Sequence, residues 1–202
     1  YKQKAKMIHT FKEGFIDFCQ ICNSKNINLV IDLGFQSLAD DLVIEKNKNI
    51  PATIYPIKIY LCKFCRLLQN NFIVGDRKLY NKNYHYIPGI SKTVEKNLFD
   101  LAKKLVNLYK LDKNDLIIDV GCSDGTLLKS FKKLGYKNVL GVEPTNTIIY
   151  AKKKGIRGFQ DFFNSKSAKK ILKKYGKAKL ITTTNVFAHT GELKEYIKAL
   201  NI

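Results

Sequence analysis

From residue 116 onward, short apolar runs alternate with segments in which apolar residues recur every three or four positions. The short runs predict buried strands, and the recurring positions predict amphipathic helices. The predicted strands span residues 116–120, 139–143, 156–160 and 178–184, and the predicted helices end at residue 134 or span 146–154, 166–175 and 192–200. This alternation predicts an α/β fold, in which helices cover both faces of a parallel sheet. Ligands bind at the carboxyl ends of the strands in such sheets.

The part of the chain before residue 116 has a different pattern. Residues 54–61 alternate apolar and polar side chains, which predicts a half-buried strand. Pro56 confines that strand to a sheet edge, or else lies at the strand start. Residues 92–109 predict a helix that precedes the first strand of the sheet in the chain and lies across the sheet. The apolar face of this helix consists of Leu98, Leu101, Ala102, Leu105 and Leu108.

The composition is strongly basic, because the 202 residues include 36 Lys and Arg against 17 Asp and Glu, a net charge of +19. Such a charge would suit a nucleic-acid partner. However, only Arg66, Arg77 and Arg157 are arginines, and lysine is poorer at bidentate contacts with phosphates and base edges. The lysines are also spread over the whole chain. Nucleic acid is therefore disfavoured as the main partner, and we expect a positive field that attracts an anionic small molecule.

The hydropathy and the two ends of the chain indicate where the protein is located in the cell and whether the chain is part of a longer protein. No apolar stretch approaches the roughly 20 residues that a membrane span needs, and the N-terminus lacks a signal-peptide pattern. We therefore expect a cytoplasmic protein. The chain begins at Tyr1, and residues 178–184 would leave an apolar strand unpaired at the sheet edge. We accordingly expect this chain to be part of a longer protein.

The turn between the first predicted strand of the sheet and the following helix reads Gly-Cys-Ser-Asp-Gly, residues 121–125. Glycine at both ends lets the backbone approach a ligand, since a Cβ there would hold the backbone away. The dinucleotide-binding fingerprint needs glycine where Ser123 and Thr126 stand, and the Gly-Lys-Ser/Thr of a phosphate loop is absent. The remaining pattern is Asp119-x-Gly121-x-x-x-Gly125.

That pattern resembles motif I of the class I S-adenosylmethionine (SAM) methyltransferases. Glu143 ends the second predicted strand, where a carboxylate can accept both ribose hydroxyls of the cofactor. Asp161 and Phe162 follow the third strand, where the adenine needs a polar partner and an apolar wall. The alternative is a glycine-rich turn in an unrelated α/β protein. The cofactor-binding residues that the resemblance implies are Asp119, Gly121, Cys122, Ser123, Asp124, Gly125, Glu143, Asp161, Phe162 and Asn185.

Two Cys-x-x-Cys pairs, Cys19 with Cys22 and Cys62 with Cys65, stand upstream of this region. Each pair can present two thiolates, and together they predict a four-cysteine zinc site. A disulfide is disfavoured because no secretory signal is evident, and a redox pair would need an adjacent βαβ unit. Because four thiolates leave no open coordination position, we expect the zinc to be structural. Cys122 is expected to be a small residue of the turn rather than a nucleophile.

The cysteine pairs and the segments around them resemble the zinc-binding domain of the sugar C-methyltransferases, which act on nucleotide-linked deoxy-keto-sugars. The likeness covers about residues 15–190. The motifs that carry it are Cys19-x-x-Cys22, Asp32-Leu33-Gly34-x-x-x-Leu38-Ala39-Asp40, Tyr55-Pro56-Ile57, Cys62-x-x-Cys65, Tyr84-His85-Tyr86, Ser91-Lys92-Thr93, the glycine turn, Gly141-Val142-Glu143-Pro144, Asp161-Phe162-Phe163 and Asn185-Val186-Phe187-Ala188-His189. The resemblance implies a zinc-binding domain over 1–75, an aromatic linker and helix over 76–115, and a truncated SAM-binding domain over 116–202.

The reaction that this resemblance implies is methylation of a carbon beside a ketone. It needs a base that removes the α-proton, and the candidates are His189 after the fourth strand and His85 in the aromatic linker. Tyr84 and Tyr86 are further candidates for catalysis or substrate contact, although packing between modules explains the aromatic residues equally well. Two other functions stay open: methylation of another small metabolite, and a zinc-containing nucleic-acid-binding protein or RNA methyltransferase.

Overall fold

The computed structural model describes residues 13–39, 42–43, 45–81 and 84–202. They form two compact units. The first covers the described residues up to 78, apart from residue 42, together with 191–194, and the second covers the rest. Asp40, from the motif predicted between the cysteine pairs, lies outside the described residues.

The first unit is built from short antiparallel strands. Its strands are β1 (Gly14–Phe15), β2 (Ile27–Ser37), β3 (Ile54–Cys62), β4 (Leu68–Asn70) and β5 (Phe72–Ile73). A single-turn helix, α1 (Asp76–Leu79), begins in this unit. Strands β2, β3 and β4 form one sheet in that order, and β1 pairs with β5. The predicted half-buried strand is therefore β3, and it is one residue longer than predicted.

Pro56 lies in the middle strand of this sheet, yet its position agrees with the chemistry of proline. It stands opposite Phe35 of β2, whereas β4 pairs only with residues 59–61 of β3. At Pro56, β3 is therefore paired on one side only. Of the two predicted alternatives, a position near the strand start holds, because β3 is not an edge strand.

The Asp32-Leu33-Gly34 motif forms an irregularity in β2. The Asp32 carboxylate accepts a hydrogen bond from the Gly34 amide at 2.9 Å, and Gly34 has φ +71°. The pairing register between β2 and β3 shifts at this point, between Asp32 and Phe35. Such a bulge bends the strand and interrupts the row of backbone groups. The motif therefore has a structural explanation in the zinc-binding unit.

The second unit has the α/β fold that the sequence predicts. Its elements are α2 (Lys92–Tyr109), β6 (Ile117–Val120), α3 (Thr126–Lys133), β7 (Val139–Val142), α4 (Ile148–Lys153), β8 (Arg157–Phe159), α5 (Ser165–Tyr175), β9 (Leu180–Thr182) and α6 (Leu193–Leu200). The four strands are parallel in the order β8-β7-β6-β9. Each strand is one to four residues shorter than predicted, because the terminal residues leave the ladder before the apolar run ends.

Two apolar cores lie on opposite faces of the sheet. Ile117 and Val139 point to one face, where α2, α3 and α4 pack, and Phe131 is completely buried there. Ile118 and Leu140 point to the other face, which Ile171 of α5 and Tyr196 of α6 cover. The predicted parallel sheet with helices on both faces is thus confirmed. Within the described part of the chain, no helix combines the length and apolar character that crossing a bilayer requires.

The helix predicted over 92–109 has the same bounds in the structure. Ala102 is buried, and Leu98, Leu101 and Leu105 pack against the first core. Leu108 does not follow them, because it is 63% exposed. Val106 packs on the core instead, because the core beneath the helix stops before Leu108 and Tyr109, which are both exposed. The prediction for Leu108 is wrong.

Candidate functional site

The two Cys-x-x-Cys pairs form two turns of the same construction. The Cys19 amide donates to the Ser24 carbonyl at 2.8 Å, and the Asn23 amide donates to the Cys19 carbonyl at 2.9 Å. In the second turn, the amides of Cys62 and Arg66 donate the equivalent hydrogen bonds, at 2.9 and 3.0 Å. Asn23 and Arg66 both have left-handed backbone, with φ 61° and 66°. Each turn thereby presents its two thiols in the same way.

The four sulfur atoms of Cys19, Cys22, Cys62 and Cys65 all lie within 4.8 Å of one another. The Cys19 and Cys65 sulfurs are 3.4 Å apart, and the Cys22 and Cys62 sulfurs are 3.5 Å apart. Four sulfurs about 2.3 Å from a tetrahedral zinc are roughly 3.8 Å from one another. A disulfide needs about 2.05 Å. The cluster therefore fits a zinc ion and does not contain disulfides.

The second cysteine turn also favours the thiolate form that binds metal. The Cys65 amide donates to the Cys62 sulfur at 3.4 Å. This N–H and that of Phe64 lower the pKa of the Cys62 thiol, because they stabilise a negative sulfur. Zinc at this cluster would be held by protein thiolates alone, so its contribution is to fold stability rather than to chemistry.

Gln69 in β4 supports the first cysteine turn, and no feature of the sequence pointed to it. Its side chain is buried. The carboxamide oxygen accepts from the Gln20 amide at 2.9 Å, and the carboxamide nitrogen donates to the Phe18 carbonyl at 2.9 Å. These bonds span about fifty residues of sequence, so neither spacing nor periodicity could have indicated them.

In the second unit, the strand order locates a ligand site. The chain places β7 and β8 on one side of β6, and then places β9 on the other side. Ligands of open α/β sheets bind at the carboxyl ends of the strands where the order reverses in this way. The glycine turn, residues 121–125, follows β6 at that point, and Glu143 follows β7. The predicted cofactor residues therefore cluster at the expected end of the sheet.

The two glycines of the glycine turn are required by backbone angle and by packing. Gly121 and Gly125 have φ +71° and +75°, which residues with a Cβ adopt rarely. A Cβ on Gly121 would collide with Val186, and one on Gly125 would lie 2.8 Å from the Ala151 Cβ. Packing of protein atoms therefore requires glycine at both positions, and the expectation that the glycines also let the backbone approach a ligand stays a prediction.

Glu143 lies beneath the glycine turn and is bonded to it. Glu143 is 6% exposed, and its carboxylate accepts from the Ser123 amide at 3.0 Å and from the Thr145 amide at 2.9 Å. A carboxylate has about four acceptor sites, so two remain for hydroxyl groups. This arrangement fits the predicted role of Glu143 toward the ribose, which stays a prediction.

Asp119, at the end of β6, is completely enclosed. Its carboxyl accepts from the Thr182 hydroxyl at 2.7 Å. Burial raises the pKa of Asp119 to about 7, and the negative Glu143 nearby adds to that rise. Among the residues that the structure describes, the ion pairs include neither Asp119 nor Glu143.

Two other predicted cofactor residues turn toward the protein. The Asp124 carboxylate pairs with Lys154 at 2.6 Å and accepts from the Thr126 hydroxyl at 2.7 Å, which fixes the first turn of α3. Cys122 is buried against Gly141. Burial raises the pKa of the Cys122 thiol well above its usual value, so this thiol is neutral. Any contact of these two residues with a cofactor would come from their backbone.

The remaining predicted residues lie in the segments that follow β8 and β9, at the same end of the sheet. Asp161 and Phe162 follow β8, are half-buried, and are joined by a 2.9 Å bond from the Phe162 amide to the Asp161 carboxylate. Asn185 follows β9 with φ 55°, and His189 ends a short 3₁₀ turn, Phe187–His189. Both of these side chains are exposed to solvent.

Residues 84–90, here named the aromatic segment, pass over the glycine turn. The Ser123 hydroxyl donates to the Tyr86 carbonyl at 2.7 Å. The segment and the start of α4 border a cavity of about 300 Å³. Its lining residues are Tyr84, His85, Ile87, Asn146, Thr147, Ile149, Tyr150 and Lys153. The predicted catalytic residues Tyr84, His85 and Tyr86 are therefore adjacent to the predicted cofactor site, and this adjacency could not be read from the sequence.

Comparison with known proteins agrees with both parts of this description. A family model described as a methyltransferase domain matches residues 92–201, and one described as a zinc binding domain matches residues 19–80. C-methyltransferase NovU of Streptomyces niveus is 22% identical over 187 residues, which are 92% of this chain and 44% of that relative. The chain thus spans less than half the length of the relative. It belongs to the SAM-dependent methyltransferase family and carries a four-cysteine zinc-binding domain ahead of its methyltransferase domain.

Proposed function

We propose that this protein methylates carbon: it transfers the methyl group of SAM to the carbon beside a ketone in a nucleotide-linked deoxy-keto-sugar. The observation that carries the proposal is the match to a C-methyltransferase over 187 residues, which extends through the zinc-binding and methyltransferase domains alike. The sugar is the acceptor class that the cysteine, Tyr-His-Tyr and glycine-turn motifs suggest. The net charge of +19 favours such an anionic acceptor.

The proposed chemistry divides between a cofactor side and an acceptor side. SAM, when bound, would supply a methyl group on a positively charged sulfur, so that an enolate carbon forms a bond to the methyl carbon and S-adenosylhomocysteine leaves with the electrons of the broken sulfur–carbon bond. Glu143 and the glycine turn hold the cofactor, and the Glu143 carboxylate would accept from its ribose hydroxyls. On the acceptor side, a base must remove the α-proton, and the alignment of the resulting carbon with the methyl group accounts for much of the rate.

His189 is the residue to which we assign the proton transfer. It follows β9, beside β6 at the carboxyl edge of the sheet, and its exposed imidazole is free to meet an acceptor. A histidine with a pKa near about 6.5 is a suitable base at neutral pH, whereas a tyrosine near about 10 needs a large shift. Tyr84 and Tyr86 are assigned to substrate contact, and His85 is the competing base.

Exchange of the acceptor α-proton with deuterated solvent tests this assignment. Full-length protein with S-adenosylhomocysteine and the keto-sugar should exchange the proton, because enolate formation does not need the methyl group. His189→Asn should slow this exchange by about 10²-fold or more. His85→Asn is the matched variant and should exchange at a rate near that of the unmodified protein.

The outcomes distinguish a wrong choice of base from a wrong mechanism. If His85→Asn loses exchange and His189→Asn keeps it, the base lies in the aromatic segment. If the unmodified protein exchanges no α-proton while it methylates the sugar on oxygen, the enolate mechanism is wrong.

A further inference from the structure

We propose that Ser123 is a positioning residue, which couples occupancy of the SAM site to the placement of the aromatic segment on the acceptor side. This inference rests on the proposed function, in that it assigns SAM to the glycine turn. Ser123 acts through the residues that it holds rather than by contact with the reacting atoms. The residue is buried, with 7% of its surface exposed.

Ser123 joins the two sides of the site through two hydrogen bonds. Its amide donates to the Glu143 carboxylate at 3.0 Å, and its hydroxyl donates to the Tyr86 carbonyl at 2.7 Å. Ser123 therefore connects Glu143, the acid expected to bind the ribose, to the backbone of the aromatic segment. A ligand that hydrogen-bonds to the Glu143 carboxylate alters the bond between that carboxylate and the Ser123 amide, and so shifts the Ser123 backbone. The Ser123 hydroxyl, which donates to the Tyr86 carbonyl, moves with this backbone.

The backbone of Ser123 is suited to this role. Its φ is 47°, the left-handed region that a non-glycine residue rarely occupies. In this conformation the amide points to Glu143 while the side chain reaches the aromatic segment. An ordinary helical or extended residue at this position would direct one of these groups elsewhere.

A second contact, at Gly89, fixes the other end of the aromatic segment. A Cβ on Gly89 would collide with the Asp124 carboxylate and lie 2.6 Å from the Thr126 hydroxyl oxygen. Asp124 itself is held by Lys154 at 2.6 Å. The segment is thus seated on the glycine turn at two points, and Tyr84 and His85 border the cavity beside it. Movement of the turn is consequently transmitted to the side chains that would meet an acceptor.

Hydrogen exchange of the full-length protein with SAM alone tests the coupling. Each variant is measured with and without saturating SAM, so that differences in affinity do not enter. In the unmodified protein, SAM should slow exchange of the amides of the aromatic segment, Pro88 excepted, by about fivefold or more, the effect of strengthening about one hydrogen bond. Ser123→Ala should abolish this SAM-dependent slowing while amides of β6 and β7 keep theirs.

Three further variants distinguish coupling from a general loss of structure. Ser123→Asn should restore the slowing, because asparagine tolerates the left-handed region and its side-chain amide can donate to Tyr86. Gly89→Ala should abolish it by displacing the second contact. Ser130→Ala removes a buried hydroxyl that donates within α3, to the Thr126 carbonyl at 3.1 Å, and should leave the slowing intact.

The proposal is overturned if Ser123→Ala keeps the full SAM-dependent slowing, or if Ser130→Ala loses it equally. It is also overturned if SAM binds the unmodified protein without affecting the aromatic segment. A protein that binds no SAM in calorimetry contradicts the cofactor assignment itself, and that outcome is visible before any exchange is measured.

Discussion

The Cys62→Ser variant is expected to purify without zinc and with its first unit unfolded. Structural zinc contributes about 10–16 kcal/mol in zinc-finger peptides, which is as large as the whole stability of about 5–15 kcal/mol of a typical domain. The first unit depends on this contribution, because its core is small. Among described residues 13–78, the buried apolar side chains are Ile16, Pro56, Ile73 and the cysteines Cys19 and Cys62.

Metal analysis of protein purified without added zinc is the measurement, together with hydrogen exchange of the β2 and β3 amides. The unmodified protein should contain about one zinc, and the variant none. Cys122→Ala is the control, since this fifth cysteine is buried in the other unit beside Gly141. It should keep the zinc. Stoichiometric zinc in a protein that lacks both Cys19 and Cys22 would contradict the four-cysteine site.

Glu143→Ala is expected to raise the Kd of SAM by about 10- to 150-fold. A hydrogen bond to a charged group is worth about 1.5–3 kcal/mol, which corresponds to that range. Because the ribose is common to both ligands, S-adenosylhomocysteine should lose affinity by the same factor. A much larger loss for SAM than for S-adenosylhomocysteine would mean that Glu143 acts through charge on the sulfonium and not through the ribose.

Calorimetry on the full-length protein measures both affinities, and circular dichroism checks that the variant is folded at the same temperature. Glu195→Ala is the matched control. Its carboxylate also accepts from a backbone amide, that of Ser165 at 2.8 Å, but at the start of α5. This variant should bind SAM within about twofold of the unmodified protein. Unchanged affinity in Glu143→Ala would contradict the assignment of Glu143.

The fold of the second unit was predictable because its strands and helices are marked by local periodicity. Four apolar runs gave four parallel strands in the expected layers, and the helix over 92–109 has the predicted bounds. The error at Leu108 arose at a helix end, where a periodic face continues in the sequence but the core beneath it stops. Strand ends were predicted too long for a similar reason, since apolar residues continue after the ladder has ended.

The site was predictable only as far as it depends on spacing. The two cysteine pairs came together as their spacing predicted, and the glycine turn and Glu143 meet because strands β6 and β7 are neighbours. The Ser123–Tyr86 and Gln69–Gln20 bonds join residues 37 and 49 positions apart. Such bonds depend on how separate elements pack, and no residue type or interval in the sequence encodes them.

The glycine turn shows how a correct prediction can rest on an incomplete reason. Its glycines were expected because of a ligand, yet Val186 and Ala151 occupy the space that side chains would need. The sequence records that glycine is required, but not which neighbour requires it. Asp124 is similar, since its carboxylate faces Lys154 and α3, although a polar residue in such a turn suggests a ligand contact.

The position of the transferred methyl group distinguishes carbon methylation of a sugar from the alternative reactions. The full-length protein is incubated with a nucleotide-linked deoxy-keto-sugar and SAM that carries a ¹³C-labelled methyl, and the product is examined by NMR. We expect a new carbon–carbon bond at the carbon beside the ketone, with loss of one α-proton. A labelled methyl on a sugar oxygen, or its appearance on RNA and not on the sugar, would refute carbon methylation of the sugar by this protein.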